Sequence, residues 1–411
     1  MMIISKDNVL KMIILFILIN GSLFEALHPT GGLRLIMAML MNIAGVLLII
    51  YFIKLNKKNL DASIYFKFLF ILLITWSFIT IFRSFELDSK RLISLFGNLI
   101  MGWTWLTPLA VVFGFNIKNW LMLFDFLGKI LIVYSIGSFI GLVYPLSEAV
   151  AFSLLDGVSA FLPVLFLTYL YQSKQNRLIA IFSYFAFIIL SYYASQRTNV
   201  VIIVLLVVFL IFESYRESML SAAKKVLITL LLIFTSIVIM IKVDTYISEI
   251  SHNDKATTDT RTFLIEEMYA DMSTEELILG RGAMGTYYSP YFASILEQGM
   301  EGDSSTRSVN EIGYLEIVLK GGYIMAALYV LIMLPAAFLG IFRSKNIIAK
   351  MSGYTILLYL ILWSVSYFPE YTVKFIILWM AVGTAISKKA RNITNKELIE
   401  KIKGRYQFVK Q

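Results

Sequence analysis

The chain of 411 residues contains no cysteine and only two histidines, His28 and His252. Without cysteine it can form neither a disulfide framework nor a thiolate nucleophile or metal ligand. The two histidines are far apart in sequence, and neither has a partner at the spacing of metal ligands. These absences exclude a disulfide-stabilised secreted domain and a thiol-dependent enzyme, and we expect neither a metal site nor a cofactor.

Charged residues are also scarce, at 15% of the chain, whereas hydrophobic residues make up 59%. Soluble domains are about 25% charged and about 45–50% apolar. The apolar residues occur in long blocks, which indicates a protein that crosses a membrane several times. The net charge of +9 does not indicate a nucleic-acid partner, because basic residues of membrane proteins collect in cytoplasmic loops.

The fold is predicted to be all-α and polytopic, since a spanning helix needs roughly 20 mostly apolar residues. The first apolar stretch has no small-residue cleavage site and is interpreted as a retained helix. Twelve spans are predicted at 9–27, 34–53, 64–82, 93–115, 122–144, 157–172, 178–195, 198–212, 225–243, 312–341, 347–367 and 371–387.

Lysine and arginine concentrate in the loops after the even-numbered spans and in the C-terminal tail. This alternation predicts that both termini are cytoplasmic. The chain then divides into spans one to nine (1–243), a large extracytoplasmic loop (244–310), spans ten to twelve (311–387) and a basic cytoplasmic tail (388–411). A polar insert as long as 244–310 in a tight bundle is usually functional.

Four arginines are predicted on the outer face. Arg197 lies at the turn between the seventh and eighth spans, and Arg261, Arg281 and Arg307 lie in the acidic loop. Guanidinium groups bind phosphate oxygens in a bidentate manner, so this set indicates anion recognition. Two alternatives remain open: Arg197 snorkels to lipid headgroups, and the loop arginines pair with neighbouring carboxylates. The loop has no Asp-x-Asp element, which disfavours a metal-dependent sugar transferase.

The sequence GRGAMG at 280–285 matches the dinucleotide fingerprint formally. No parallel strand precedes it within a βαβ unit, so a nucleotide site is rejected. A glycine turn that brings the backbone close to a bound group is favoured. The aromatic residues that follow, including Tyr287 and Tyr288, would then form a platform for sugar or lipid, although interfacial aromatic residues are also common as anchors.

Four short motifs together resemble one family of membrane enzymes. They are ASQRTNVV around Arg197, TDTRTFL around Arg261, LGRGAMG around Arg281 and NEIGYLEIVLKGGYIMA after Arg307. The combination resembles the O-antigen polymerase and ligase superfamily, whose polymerases are the Wzy-type enzymes. The motifs cover about residues 190 to 330, and the number of spans extends the resemblance to the whole chain.

The resemblance implies roles for individual residues. Arg197 and Arg261 match arginines that hold the pyrophosphate of an undecaprenyl-diphosphate-linked glycan, and Arg281 lies in the glycine-rich segment. Ligases have a His-Asn-x-Tyr-Leu pattern, and alignment on Tyr314 places Glu311 where they have histidine. This departure favours a polymerase.

The chemistry expected from the resemblance is inverting glycosyl transfer without a metal. Arg197, Arg261 and Arg281 would stabilise the leaving diphosphate, and Glu311 would serve as the general base. Glu311 could instead be an ordinary carboxylate at a helix N-terminus. Acceptor or glycan contacts are predicted for Arg307, Tyr287, Tyr288, Asn310 and Tyr314. Glu316 and Lys320, four residues apart, are interpreted as a structural pair, with Glu316 as a further candidate for acceptor contacts.

The expected partners are lipid-linked donor and acceptor glycans, membrane lipid and a chain-length regulator protein. The expected location is the bacterial inner membrane, where O-antigen, lipopolysaccharide or capsular polysaccharide is assembled. A ligase of the same superfamily is the nearest rival. A lipid-linked oligosaccharide flippase is the second, although a transporter should have short loops on both sides and charges at the membrane midplane.

Overall fold

The computed structural model describes residues 6–18, 32–56, 61–143, 148–193, 197–217, 262–297 and 305–400. Its α-helices are α1 Lys6–Leu18, α2 Gly32–Asn56, α3 Ile64–Phe82, α4 Ser89–Gly97, α5 Val111–Gly114, α6 Ile117–Val143, α7 Glu148–Leu167, α8 Lys174–Tyr193, α9 Arg197–Glu217, α10 Thr262–Asp271, α11 Thr274–Leu279, α12 Pro290–Glu297, α13 Gly313–Phe342, α14 Ile347–Leu362, α15 Val373–Ile386 and α16 Lys388–Asn392. Two 3₁₀ helices span Gly102–Ala110 and Tyr169–Tyr171. The strands β1 Tyr287–Tyr288 and β2 Thr306–Arg307 form an antiparallel ribbon.

The all-α, multi-pass character predicted from the sequence is confirmed. Within the described ranges, five helical segments are long and apolar enough to cross a membrane: Ile36–Leu55, Ile64–Phe82, Ser89–Gly114, Ile117–Gly137 and Gly313–Phe342. Shorter apolar helices include α14 and α15. The predicted span at 225–243 lies outside the described residues, as does the second half of the one at 9–27.

The span predicted at 93–115 is not one continuous α-helix. Helix α4 ends at Gly97, and an irregular segment leads into the 3₁₀ helix Gly102–Ala110 before the short α5. Asn98 accepts a hydrogen bond from the Ile100 backbone at 3.0 Å, which stabilises the turn. Pro108 in the 3₁₀ helix has no N–H to donate, so regular α-helical hydrogen bonding is interrupted there.

Helices α13, α14 and α15 pack against one another, and every side chain of α15 is buried. A Cβ atom on Gly340 would lie 2.7 Å from the Cα of Gly353, so α13 and α14 cross at a point where neither has a side chain. Such small-residue crossings allow close packing of helices inside a membrane. Tyr329, Trp363 and Trp379 join the three helices through ring contacts, with centroids 5.4–5.6 Å apart.

The two ends of the bundle carry different contacts. At one end, named here the tail end, Asp61 accepts hydrogen bonds from the Ser387 side chain and the Lys389 backbone at 3.1 and 2.6 Å. Asn346 at the same end donates to the carbonyl of Ala390 at 2.8 Å. Helix α3 runs from this end to the opposite one, the cap end, where residues 262–297 and 305–312 form a folded cap.

The cap end gathers the connections that the charge pattern predicts on one side of the membrane. The last turn of α3 contacts the cap through Thr80 and Ala283, and the α14–α15 connection contacts the start of α13 through Trp363 and Tyr314. The tail end gathers connections that the charge pattern predicts on the other side.

Candidate functional site

The cap is anchored in a break of helix α13. Gly322 interrupts this helix with φ 70° and ψ 179°, which leaves carbonyl groups of the preceding turn without helical donors. The cap supplies donors instead: the Arg281 N–H bonds to the Leu319 carbonyl at 2.8 Å, and the Gly282 N–H bonds to the Lys320 carbonyl at 3.0 Å. Cap and helix therefore share one hydrogen-bond network.

Helix α3 completes this anchor from the other side. The indole N–H of Trp76 donates to the Gly321 carbonyl at 2.7 Å, so a third carbonyl near the break is satisfied. The Ala283 N–H donates to the Thr80 carbonyl at 3.0 Å. The cap segment is thus bonded to two membrane helices at once.

The glycine turn predicted at 280–285 exists, and helix α13 is the group that it approaches. Gly280 has φ 75°, and a Cβ there would lie 2.3 Å from the Lys320 carbonyl oxygen. A Cβ on Gly322 would lie 2.1 Å from the Ile278 carbonyl oxygen. Glycine is required at both positions by the positive φ and by the close approach of two backbones.

Arg281, predicted to bind pyrophosphate, is fully engaged within the cap. Its Nε and Nη2 donate to the two carboxylate oxygens of Glu276 at 2.9 and 3.0 Å. Nη2 also bonds to the Asp271 carbonyl and Nη1 to the Thr286 carbonyl, both at 2.7 Å. Nη1 also forms an ion pair with the Asp271 carboxylate. All five guanidinium N–H groups have protein acceptors, so this geometry favours a structural role.

The carboxylate of Glu276 stabilises the cap in a second way. Its side chain accepts from the Ser273 N–H at 2.8 Å, while the Ser273 hydroxyl accepts from the Glu276 N–H, forming a capping box at the start of α11. The hydrogen bonds from Arg281 and Ser273 lower the pKa of Glu276 to about 2.

A buried ion pair lies beneath the cap. Glu316 and Lys320 are both completely buried, with Nζ 3.6 Å from Oε1. Lys320 donates to the carbonyl oxygens of Gly285, at 2.8 Å, and Ser308. Glu316 accepts from the Asn310 N–H at 2.7 Å through Oε2. The predicted structural pair exists, and it binds both chain segments that flank the ribbon.

The two tyrosines predicted to contact glycan lie in the ribbon and differ in exposure. Tyr287 pairs with Arg307, and Tyr288 with Thr306. Tyr287 is buried, its hydroxyl has no hydrogen-bond partner in the described structure, and burial raises its pKa to about 12. It is a core residue of the cap, and its phenol is neutral at physiological pH. Tyr288 is 46% exposed and is accessible to a ligand.

Arg307 and Glu311 form a partly exposed ion pair at the edge of the cap. The Arg307 Nη2 lies 2.9 Å from Glu311 Oε1, and the guanidinium carbon lies 4.5 Å from the centre of the Phe292 ring. The Arg307 side chain is 15% exposed, whereas that of Glu311 is 57% exposed. An incoming hydroxyl group can therefore reach the Glu311 carboxylate.

Asn310 and Tyr314, also predicted to contact the acceptor or glycan, form hydrogen bonds to backbone groups of the protein. Asn310 is completely buried, and its side-chain oxygen accepts from the Ile312 N–H at 3.0 Å. Tyr314 donates its hydroxyl hydrogen to the Leu360 carbonyl at 3.0 Å and so joins α13 to α14. Both residues fix the backbone on either side of Glu311.

The start of helix α9 lies close to this segment. Arg197 is the first residue of α9, and its side chain lies outside the described part of the structure. Two residues later, the buried Asn199 accepts a hydrogen bond from the Tyr367 hydroxyl at 2.8 Å. The Tyr367 carbonyl oxygen lies 2.4 Å from where a Cβ on Gly313 would be, two residues after Glu311. The first turn of α9 and the segment of Glu311 therefore share one neighbour.

Arg261 immediately precedes α10 and lies outside the described residues. Among the predicted site residues, Arg307 and Glu311 form an ion pair. The starts of α9 and α13 both contact Tyr367, whereas the Arg281 side chain lies in a separate hydrogen-bond network. Within the described ranges, no group of three or more acidic or histidine side chains is arranged to hold a metal ion.

Neither Tyr367 nor Trp76 was predicted from the sequence. The hydrogen bonds of Lys320 to carbonyl groups of the cap were not predicted either. A lysine followed by Gly321 and Gly322 inside an apolar run is a signal of a break with a polar partner. The sequence around Tyr367 does not indicate its contacts with Asn199 and Gly313, since both residues belong to distant segments.

The chain matches no protein-family model, no curated protein and no solved structure.

Proposed function

We propose that the protein is a membrane glycosyltransferase that polymerises undecaprenyl-diphosphate-linked oligosaccharide repeat units into O-antigen or capsular polysaccharide. The observation that carries the proposal is the meeting, around Tyr367, of the helix that begins with Arg197 and the segment that contains Glu311. The motif resemblance assigns the donor pyrophosphate to the first and the acceptor hydroxyl to the second.

In the proposed reaction, Glu311 removes the proton of the acceptor hydroxyl while the oxygen of that hydroxyl attacks the anomeric carbon of the donor. The bond from that carbon to the diphosphate oxygen breaks, and undecaprenyl diphosphate leaves with the electron pair. Arg197 and Arg261 stabilise the charge that develops on the diphosphate. Attack opposite the leaving group inverts the anomeric centre.

Arg281 is left out of the pyrophosphate-binding set because all five of its N–H groups are engaged. A diphosphate could bind there only by displacing Glu276 and Asp271. Arg307 remains a candidate for glycan contact, since its guanidinium lies on the Phe292 ring next to the exposed Glu311.

The proposed setting is the bacterial inner membrane, with twelve spans and both termini in the cytoplasm. The cap end then faces the outside, where lipid-linked units are available and nucleotides are scarce. The supporting observation is that the basic C-terminal segment contacts Asp61 and Asn346 at the tail end, since basic segments stay in the cytoplasm.

Deletion of the gene in its host tests the proposal. A polymerase deletion should leave single repeat units on the mature surface glycan. Long chains stranded on the lipid carrier would identify a ligase instead, and unexported single units would identify a flippase. Either of these outcomes overturns the proposal.

Complementation of the deletion tests the assigned residues. Arg197→Lys and Arg261→Lys keep the charge but lose the bidentate fork, so polymer formation should fall at least tenfold. Glu311→Gln should reduce it by about 10²–10⁴-fold, the usual contribution of a general base. Arg343→Lys, at an exposed arginine near the tail end, is the matched control and should keep full activity. Full activity of both Arg197→Lys and Arg261→Lys would contradict bidentate phosphate binding.

A further inference from the structure

Tyr367 has a backbone conformation that aromatic residues rarely adopt. Its φ is 62°, and it is the single non-glycine residue with positive φ in the described part of the chain. The left-handed region is disfavoured for a bulky side chain. Such a conformation persists only where the surroundings hold it, and it often occurs at functional sites.

Three of the contacts of Tyr367 reach different parts of the bundle. Its hydroxyl donates to the Asn199 side-chain oxygen at 2.8 Å. Its ring lies beneath the Lys374 ammonium, with Nζ 5.0 Å from the centroid. Its carbonyl oxygen occupies space that a Cβ on Gly313 would need, at 2.4 Å. Hydroxyl, ring and backbone thus contact three different helices: α9, α15 and α13.

The first and third of these contacts lie next to the residues of the proposed reaction. Asn199, in the first turn of α9, is completely buried and follows Arg197 by two residues. Gly313, the first residue of α13, follows Glu311 by two residues. A change in the Tyr367 position would therefore alter the relation between the two segments.

We infer that Tyr367 is a positioning residue that fixes the start of helix α9 relative to the segment of Glu311. The inference rests on the proposed function, in which Arg197 holds the donor diphosphate and Glu311 activates the acceptor. Tyr367 itself is assigned no contact with substrate. It acts through Asn199 on one side and Gly313 on the other.

The Tyr367→Phe variant tests this role because it keeps the ring and the backbone and removes only the hydroxyl. Small misplacement of reacting groups lowers turnover steeply. We expect kcat of the purified enzyme, with a lipid-linked repeat unit as substrate, to fall about tenfold, with KM changed less than twofold. Asn199→Ala should produce a similar loss, and the double variant should lose less than the sum of the two single losses, since both substitutions remove the same hydrogen bond.

Tyr354→Phe is the matched control. It also removes one tyrosine hydroxyl from a 2.8 Å hydrogen bond, to Glu213 in helix α9, but far from the cap end. A purely structural role of Tyr367 predicts that both phenylalanine variants lower the unfolding temperature and leave the kcat of folded protein unchanged. That result, or additive losses in the double variant, overturns the inference.

A distance measurement separates this inference from the proposed function. Because the chain has no cysteine, cysteines introduced at the exposed positions Val204 and Ser308 will be the only sites that a spin label modifies. Tyr367→Phe should broaden or shift the distance between the labels, and Tyr354→Phe should not. If the unsubstituted protein lacks polymerase activity but Tyr367→Phe shifts the distance, the proposed function fails and the positioning role stands. An unchanged distance overturns the positioning role whatever the activity.

Discussion

The ammonium group of Lys320 lies 3.6 Å from the carboxylate of Glu316, one helical turn earlier, and both side chains are completely buried. Lys320 also binds the carbonyl groups of Gly285 and Ser308, at the two sides of the cap ribbon. A charge pair without solvent is retained only where its partners compensate the loss of hydration. Here those partners are backbone groups of the cap, so the pair links the shape of the cap to helix α13.

Removal of one partner should therefore release the cap. Lys320→Met leaves the Glu316 carboxylate buried without a cation, at a cost of about 3–5 kcal/mol. We expect a lower unfolding temperature in detergent and faster proteolysis within 286–307. The double variant Lys320→Met with Glu316→Gln removes both charges and should be more stable than Lys320→Met alone. A double variant as unstable as the sum of the two changes would contradict a compensated pair.

Arg281 is predicted to matter for stability rather than for turnover. Arg281→Lys keeps the charge but has three N–H donors instead of five, so it cannot replace all five hydrogen bonds of Arg281. Loss of a charge-assisted hydrogen bond costs roughly 1.5–3 kcal/mol, so hydrogen exchange in α10 and α11 should accelerate. Arg307→Lys is the control, since within the described residues the Arg307 guanidinium forms an ion pair with Glu311 only. This variant should accelerate hydrogen exchange in α10 and α11 less than Arg281→Lys does. A lower kcat of Arg281→Lys with unchanged exchange would restore Arg281 as a substrate ligand.

Cap stability should fall in acid because of Glu276. Hydrogen bonds from Arg281 and Ser273 lower the pKa of this carboxyl from its ordinary 4.5 to about 2. A lowered pKa in the folded state stabilises the cap fully above pH 4.5, and this contribution is lost as the pH falls through 2. The unfolding temperature, followed by tryptophan fluorescence, should drop between these values. Glu276→Gln should flatten that part of the curve, and an identical curve would contradict the assignment.

The ribbon can be tested with a disulfide. Tyr288 and Thr306 are antiparallel partners, and the adjacent Ser289–Ser305 backbone bond makes them a non-hydrogen-bonded pair, the close type. Cysteines at both positions should form a bond on mild oxidation, detectable as a linked peptide by mass spectrometry. Cysteines at 288 and 308 are the control and should link poorly. Equal linkage in both variants would indicate that the ribbon is not formed.

The sequence predicts the membrane helices better than the breaks within them. Helix α3 coincides with the predicted span 64–82, because an uninterrupted apolar run has few alternatives inside a membrane. The break at Gly322 could not be placed in the same way. The carbonyl groups just before the break bond to Arg281, Gly282 and Trp76, which belong to two segments that are both far from α13 in sequence.

The candidate site shows the same division. Ionic partners that are close in sequence could be predicted, as for Glu316 and Lys320. The pairing of Arg281 with a neighbouring carboxylate is an alternative that the sequence leaves open, and its partner Glu276 lies only five residues earlier. Burial of Tyr287 and the contacts of Tyr367 depend on how distant segments pack, so residue type alone could not separate them from accessible ligand-binding side chains.

The interrupted helix α13 has a consequence for biosynthesis. Residues 280–282 leave the ribosome before residues 319–321, whose carbonyl groups they later bond. During that interval the loop lacks its hydrogen bonds to helix α13. The bonds from Arg281 to Glu276 and Asp271 close over five and ten residues, so they can form as soon as the loop is synthesised and hold the turn ready until its receptor helix arrives.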